Sequence, residues 1–242
     1  MNRVFFGHHK CASRFFRIRI FAAIAKVQGW KVVTYHVDKP PYHFSSLPDL
    51  DLDMVDFTKL SGPEPVVVNL LNSSPAVLDK VAETNPNFRG LHVVRDPRQV
   101  LISAYFHHRG THPISGSGFV WDKLAIDRPI LRALSEEDGI LYEMNNITRD
   151  VINHMMAWPG DTRVLEARVE DINQDRPAFL RRLAQHLDLA FDTVPEIDWT
   201  QNFSDSGGGH WKEHFTPRIK EDFKRLHGDA LIKLGYERNH DW

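Results

Sequence analysis

The chain has 242 residues, of which 42% are hydrophobic and 26% charged, and its formal net charge is −2 at pH 7. This balance gives no indication of a broad surface for nucleic acid or membranes, and the length suits one α/β domain over residues 1–242. A single cysteine, Cys11, excludes an internal disulfide and any zinc site made of cysteines alone. No apolar run approaches roughly 18 residues and no secretory signal begins the chain, so we expect a cytoplasmic protein without a transmembrane segment.

The first predicted elements are a strand, a short loop with one lysine, and a helix. The strand covers Met1–Phe6, and the loop Gly7-His8-His9-Lys10-Cys11-Ala12 follows it. A helix is predicted over Phe15–Gln28, because apolar residues recur there at helical spacing and Gly29 ends the run. Such a loop is typical of an anion cradle, since backbone N–H groups and the helix N-terminus supply partial positive charge and the lysine adds a full charge. The pattern differs from the nucleoside-triphosphate loop G-x-x-x-x-G-K-[ST], because the lysine comes first and no Ser or Thr follows it directly.

Alternating strands and helices continue along the rest of the chain. Strands are predicted at Lys31–Val37, Val66–Leu71, Gly90–Val94 and Arg163–Ala167, helices at Pro75–Thr84, Pro97–His107, Arg176–Leu187 and Pro217–Leu234, and two further helices within Leu131–Trp158. The segments Asp38–Pro65 and His108–Asp127 are rich in turn residues and are predicted to be loops. The predicted fold class is therefore α/β, with a mostly parallel central sheet flanked by helices.

Lys10 and Arg95 each follow the end of a predicted strand. Ligands of parallel α/β sheets bind at the carboxyl ends of the strands, so these two side chains can converge on one ligand. A lysine and an arginine at that edge favour an anionic group such as a phosphate.

Four segments resemble, in the same order along the chain, the motifs of the cytosolic-type sulfotransferases, which use 3′-phosphoadenosine 5′-phosphosulfate (PAPS) as donor. His9–Arg14 resembles the donor loop P-K-[SG]-[GS]-[TS]-[TS], and Arg95–Ser103 matches R-D-P-R-D-x-x-x-S. Arg168–Ile172 resembles R-Y-E-D-L, and Gly209–Thr216 resembles G-x-W-K-x-x-F-T. The resemblance implies a P-loop-like sulfotransferase fold and a sulfotransferase activity with PAPS as co-substrate and no metal.

The resemblance also implies which residues bind the donor. Lys10 is expected to stabilise the negative charge that develops on the leaving phosphate during in-line transfer. The loop that binds the 5′-phosphosulfate corresponds to Lys10, Cys11, Ala12, Ser13 and Arg14. The 3′-phosphate side of the site corresponds to Arg95, Ser103, Gly207, Gly208, Gly209, Trp211 and Lys212.

The chain departs from the family pattern at several positions. Arg14 stands where a second hydroxyl residue is common, and Val169 replaces the tyrosine of R-Y-E-D-L. Ser204–Ser206 stand in place of R-K-G. The H-L-P segment that often carries the catalytic histidine falls near Asn72–Pro75, where the chain has no histidine. The resemblance therefore carries over the donor site but not the acceptor site.

An acceptor hydroxyl needs a general base, and a histidine suits that role near neutral pH. The preferred candidates are His107, His108 and His112, which follow the helix expected to bind the 3′-phosphate. The alternative candidates are His8, His9, Glu143 and His154. No Asp or Glu completes the usual zinc spacing around the three preferred histidines, so no metal site is predicted.

The leading hypothesis is a sulfotransferase that acts on a hydroxyl of a small-molecule, lipid or glycan acceptor, with no nucleic-acid partner. Two alternatives stay open. A P-loop nucleotide kinase or hydrolase would lack G-K-[ST] and a carboxylate clearly placed to hold Mg²⁺. A non-catalytic nucleotide-binding module would agree with the missing H-L-P histidine. The family often dimerises, so a homodimer is a further expectation.

Overall fold

The larger sheet of the protein is parallel throughout. The structure, a computed structural model, describes residues 1–34, 42–43, 57, 64–70, 72–116, 119–190, 194–199 and 211–242. Its strands are β1 (Asn2–Phe6), β2 (Lys31–Thr34), β3 (Tyr42–His43), β4 (Val66–Leu70), β5 (Phe88–Val94), β6 (Ser115–Gly116), β7 (Phe119–Val120) and β8 (Val164–Arg168). Within these ranges a five-stranded sheet has the order β2-β4-β1-β5-β8, so β1 is its central strand.

Helices follow most of these strands. They are α1 (Ser13–Phe15), α2 (Ala22–Gln28), α3 (Pro75–Thr84), α4 (Pro97–Phe106), α5 (Asp122–Ala133), α6 (Glu136–Met144), α7 (Ile147–Ala157), α8 (Val169–Gln174), α9 (Arg176–His186), α10 (Trp211–His214) and α11 (Pro217–Lys233). A π-helical segment, Phe16–Phe21, joins α1 to α2, and a second one, His107–Thr111, extends α4.

Both faces of the parallel sheet are covered by apolar side chains. All five residues of β1 are buried, as expected for a strand between two layers of helices. Its side chains alternate between two apolar clusters. Phe5 lies in a cluster with side chains of α1, α2, α8 and α9, whereas Val4 and Phe6 lie in a cluster with side chains of α3. The fold is therefore an α/β fold with a parallel central sheet flanked by helices, as predicted.

The register of the central strands brings three loops to one edge of the sheet. Phe6 at the end of β1 is aligned with Leu70 on β4 and with His92 on β5. Because the strands are parallel, the loops that follow β1, β4 and β5 leave from the same edge. This edge carries the loop that contains Lys10.

The predicted elements are confirmed except at their ends and between His108 and Trp158, and several short elements were not predicted. The loop predicted at His108–Asp127 is wrong in part, because the π-helical segment reaches Thr111 and α5 begins at Asp122. Three helices, α5, α6 and α7, replace the two predicted ones. The short elements α8, α10, β3, β6 and β7 were not predicted. The start of α5 was missed because Pro129 lies inside that helix, where a proline ordinarily argues against one. The loop predicted at Asp38–Pro65 lies mostly outside the described residues.

The chain divides into two compact units. Unit 1 comprises Met1–Asp38, Leu50–Arg95 and Trp158–Ser204, and contains the parallel sheet with α1, α2, α3, α8 and α9. Unit 2 comprises Lys39–Asp49, Asp96–Ala157 and Asp205–Trp242, and contains the other helices and the small sheet β3-β7-β6. The expectation of one domain stays a prediction. Among the described helices, none combines the length and apolar composition that a membrane span requires.

Candidate functional site

The loop after β1, residues 7–12, is termed the cradle loop. It begins at Gly7, where an added Cβ would lie 2.8 Å from the Phe5 ring, so a side chain at this position would force the ring to move. The Gly7 N–H donates to the Leu70 carbonyl, and the Gly7 carbonyl accepts from the Ser73 N–H, both at 2.9 Å. These bonds attach the start of the cradle loop to the end of β4 and the residues after it.

The middle of the cradle loop has a strained backbone. Lys10 and Ala12 have positive φ angles of 64° and 56°, a left-handed conformation that costs a residue with a Cβ roughly 1–2 kcal/mol. The His8 carbonyl accepts hydrogen bonds from Ser13 Oγ at 2.6 Å and from the Cys11 N–H at 3.2 Å. The hydroxyl proton of Ser13 is therefore used inside the loop, and contacts of this kind hold the strained conformation in place.

Arg95 and Lys10 lie together, as their positions after two parallel strands led us to expect. Arg95 Nη1 donates to the Lys10 carbonyl at 3.2 Å. Burial and the charge of Arg95 lower the pKa of the Lys10 ammonium to about 8. Two cationic side chains thus lie at one point of the sheet edge, where an anion would stabilise both charges.

Cys11 faces the interior beneath the cradle loop. The residue is fully buried, and burial raises the pKa of its thiol to about 12. Because the thiolate is the reactive form of cysteine, the side chain is an inert packing group at neutral pH. Any role of Cys11 in the predicted donor loop therefore depends on its backbone and not on its thiol.

His8 forms a buried pair with His92 of β5. The two Nε2 atoms are 2.7 Å apart, and each residue is 1% exposed. The His92 ring stacks on Trp158 with ring centroids 4.0 Å apart and planes inclined by 13°. The sequence indicated His8 as a candidate but not His92, although a histidine within the apolar run Leu91–Val94 is a signal that could have identified it.

In unit 2, the second arginine of the R-D-P-R segment is buried and contacts other side chains of the protein. Arg98 and Asp96 are 4% and 7% exposed. Arg98 donates to both carboxylate oxygens of Asp96, at 2.8–3.2 Å, and to Glu237 at 2.6 Å. Its guanidinium also lies over the rings of Trp211 and Trp242, 4.1 and 4.7 Å from their centroids. Trp211, predicted to be near the nucleotide, thus makes a cation–π contact with Arg98.

The three preferred base candidates, also in unit 2, have different partners. His107 Nδ1 is 2.8 Å from Thr111 Oγ1. His112 Nδ1 donates to the Pro113 carbonyl at 2.7 Å, because a carbonyl can only accept. This bond places a proton on Nδ1 of His112, so the basic nitrogen of the neutral ring is Nε2.

His108 is fully buried and forms a pair with Glu143, a residue that the sequence indicated only as a separate candidate. His108 Nδ1 lies 3.0 Å from Glu143 Oε2, and Thr148 Oγ1 donates to Glu143 Oε1 at 2.7 Å. The His108 and His112 rings each pack edge-to-face with Trp121, with ring centroids 5.2 and 4.8 Å apart. Glu143 and Trp121 therefore hold the buried His108 ring in place, with its centroid 5.7 Å from that of the His112 ring. His154 lies further along the chain, on α7.

The other predicted donor-site residues lie on several elements. Arg14 is exposed in the first turn of the helix after the cradle loop, where N–H groups have no acceptor inside the helix and suit an anion. Ser103 is buried on α4, and Lys212 is exposed on α10. Gly207, Gly208 and Gly209 lie outside the described residues. The roles of all these residues stay predictions.

Several solved structures that share this fold are sulfotransferases. Mouse sulfotransferase SULT7A1 complexed with PAP is 12% identical, with a TM-score of 0.56, and the match covers 98% of this chain and 86% of that chain. A sulfotransferase from Alicyclobacillus acidocaldarius is 13% identical, with a TM-score of 0.54 and coverage of 97% and 94%. The sulfotransferase domain from the curacin biosynthetic pathway is 12% identical, with a TM-score of 0.53 and coverage of 97% for both chains.

No protein-family model and no curated protein matches the chain by sequence. At these identities the structural likeness shows the fold, which is the P-loop-like fold of sulfotransferases. The resemblance that the four sequence motifs indicated is thus confirmed at the level of the fold.

Proposed function

We propose that this protein is a sulfotransferase that uses PAPS as its sulfuryl donor. The observation that carries the proposal is the contact between Arg95 and the cradle loop beside Lys10, at the carboxyl edge of a parallel sheet. A lysine-bearing loop followed by a helix N-terminus at that edge suits a ligand with adjacent phosphate and sulfate groups. The fold supports the same function, since one sulfotransferase that shares it is complexed with PAP.

In this proposal Lys10 stabilises the leaving group. Sulfuryl transfer breaks the bond between sulfur and a phosphate oxygen of the donor while the acceptor oxygen bonds to sulfur, as in the related phosphoryl transfers. Negative charge then develops on the phosphate, and a protonated Lys10 beside it offsets that charge. Preorganised groups of this kind contribute about 3 kcal/mol in other enzymes. The products are a sulfate ester and 3′-phosphoadenosine 5′-phosphate (PAP).

We propose His112 as the base that takes the proton of the acceptor hydroxyl. Its Nδ1 proton is donated to the Pro113 carbonyl, so Nε2 is the nitrogen able to accept a proton. His107 contacts a hydroxyl, which can donate or accept, so that contact does not define its tautomer. His108 is fully buried and paired with Glu143, which suits support of His112 better than contact with an acceptor.

The acceptor in this proposal is a hydroxyl of a small molecule, lipid or glycan. A screen with labelled PAPS across alcohols, phenols, amines and sugars would identify its class. The cytoplasmic location and the homodimer stay predictions from the sequence, as do the contacts of Ser103, Gly207–Gly209 and Lys212 with the 3′-phosphate.

Calorimetry with PAP, with ATP and Mg²⁺, and with buffer alone tests the proposed donor. We expect submicromolar binding of PAP and no comparable binding of ATP. A preference for ATP with Mg²⁺ would replace the proposal with a kinase or hydrolase. Lys10→Ala should retain measurable nucleotide binding and lose sulfate transfer. A wild-type protein that binds PAP but sulfates no acceptor in the screen would instead be a nucleotide-binding module.

A further inference from the structure

The cradle loop needs support from outside itself. Two of its residues, Lys10 and Ala12, have left-handed backbone conformations, and each such residue costs roughly 1–2 kcal/mol. Strain of this size persists only where the surrounding structure holds it. The loop therefore keeps its shape through contacts with neighbouring elements, and the contact made by His8 is one that reaches into the sheet.

The bond between His8 and His92 joins the loop to the strand beside β1. His92 lies on β5 and is aligned with Phe6, the last residue of β1. Its Nε2 atom is 2.7 Å from Nε2 of His8, inside the cradle loop. One of these nitrogens must carry a proton and the other a lone pair, so the two imidazoles form a hydrogen bond. Both rings are excluded from water, where such a bond is stronger than on the surface.

Packing against the surrounding apolar side chains does not by itself explain a histidine at position 92. Trp158, on which its ring stacks, belongs to the apolar cluster around Phe6. In the part of the chain that the structure describes, His92 Nδ1 has no hydrogen-bond partner. A buried polar atom without a partner is costly, and a phenylalanine ring would stack on the tryptophan without that cost. What a histidine adds at this position is its Nε2 bond to the loop.

We propose that His92 is a positioning residue for the cradle loop. Through its bond to His8 it holds residues 7–12 in the strained conformation that presents Lys10 to an anion. His92 itself contacts no ligand in this proposal, and it acts only through His8. The link to PAP binding rests on the proposed function, whereas the support of the loop can be measured in the protein without any ligand.

The reactivity of Cys11 can report the opening of the cradle loop, because Cys11 is the only cysteine of the chain and is fully buried. In native buffer a thiol reagent such as DTNB reacts with it only when the loop opens. We expect His92→Phe to label roughly fivefold to tenfold faster than wild type, the effect of losing one hydrogen bond. Because the buried Nε2 of His8 loses its partner, the melting temperature should also fall by a few degrees. Labelling is therefore compared at low urea concentrations, where labelling through local opening is nearly independent of urea and labelling through global unfolding rises with it.

The matched control is His227→Phe. His227 is also buried, with Nε2 3.3 Å from the Met144 carbonyl, and it lies in unit 2. This variant should label Cys11 at the wild-type rate. His92→Gln, whose amide can bond near the position of Nε2, should restore slow labelling. The pair His8→Phe and His92→Phe should be non-additive, since each removes the same bond.

Unchanged labelling in His92→Phe would overturn the proposal, as would additive effects in the double variant. If His92→Phe does not fold, His8→Phe and His92→Gln give the same comparison. Calorimetry with PAP then separates the two hypotheses. Faster labelling in a protein that does not bind PAP would leave the loop support standing and reject the proposed donor. Binding of PAP together with equal labelling rates in wild type and His92→Phe would support the proposed donor and reject the role of His92 in holding the loop.

Discussion

Arg95, the first residue after β5, donates a hydrogen bond from Nη1 to the backbone carbonyl of Lys10 at 3.2 Å. The contact spans 85 positions of the chain and supports the strained part of the cradle loop. A guanidinium carries five N–H donors, so a single bond to the loop leaves others that can bind an anion. One side chain can thus hold the loop and contact the ligand.

Removal of Arg95 should weaken donor binding. We expect Arg95→Met to reduce PAP affinity by roughly tenfold to a hundredfold, because a hydrogen bond that involves a charged group contributes about 1.5–3 kcal/mol. The control is Arg181→Met, at an exposed arginine on α9 of the same unit, which should bind PAP like wild type. Calorimetry measures both variants. Wild-type affinity in Arg95→Met would argue against an anion site at this edge.

Binding of PAP should be coupled to proton uptake by Lys10. Burial and the Arg95 charge hold the pKa of Lys10 at about 8 in the free protein, and bound phosphates would raise that pKa. Well below pH 8, Lys10 is protonated in both states and takes up no proton. Above pH 8 the free protein loses the proton while the complex keeps it, so affinity should fall with a slope approaching tenfold per pH unit.

Calorimetry at pH 8.5 in buffers with different ionisation enthalpies measures this uptake directly. Lys10→Met is the control, because it keeps an apolar side chain of similar length and has no group to titrate. The uptake should disappear in this variant. An equal uptake in Lys10→Met would assign the proton to the ligand or to another residue of the protein.

Substitution of His112 should separate the acceptor step from donor binding. His112→Asn should lower kcat by roughly a hundredfold or more, the usual contribution of a general base, with PAP affinity unchanged. His240→Asn, at an exposed histidine, is the control and should keep wild-type kcat. The measurement uses the acceptor identified by the labelled-donor screen. Full activity in His112→Asn would direct the search to His107 or His108.

Arg98 should be important for stability. Arg98→Met removes the ion pair between Arg98 and the buried Asp96 carboxylate, a loss that typically costs about 3–5 kcal/mol. Lysine at this position should restore less than half of the loss, since it lacks the planar, bidentate group that lies over the rings of Trp211 and Trp242. Urea denaturation measures the free energy of unfolding.

The control for Arg98 is Arg218→Met. Arg218 also contacts two carboxylates, those of Glu137 and Asp138, but it is exposed. An exposed ion pair contributes little to the free energy of unfolding, so Arg218→Met should lose much less stability than Arg98→Met. Equal losses in the free energy of unfolding for Arg98→Met and Arg218→Met would show that burial gives the Arg98 contacts no additional stabilising effect.

The sequence patterns predicted elements well where neighbouring residues decide the structure. The apolar run at Val66–Leu70 is a buried strand, and α3 has the predicted bounds. Between β7 and α6 the sequence patterns predicted a loop where the structure has α5, because that helix contains Pro129 and its start follows a segment rich in turn residues. In that region the packing of unit 2 outweighs local propensity.

For the candidate site, the sequence indicated the residue types but only part of their arrangement. It named Lys10 and Arg95 together, and it named His108 and Glu143 as separate candidates. It did not predict His92 as a partner of the cradle loop. Which residues of different elements lie in contact can be stated only once the strand order and register are known.

The sequence by itself determined the parallel α/β fold and the strand, lysine loop and helix that form the cradle. Those features depend on periodicity, turn residues and glycine at positions close together in the chain. The tertiary structure alone decided which side chains meet, namely His8 with His92, His108 with Glu143 and Arg98 with Glu237, pairs separated by 84, 35 and 139 residues. The physical reason is that hydrogen bonds and ion pairs act over a few ångströms, so only the packing of strands and helices can bring such distant residues within reach.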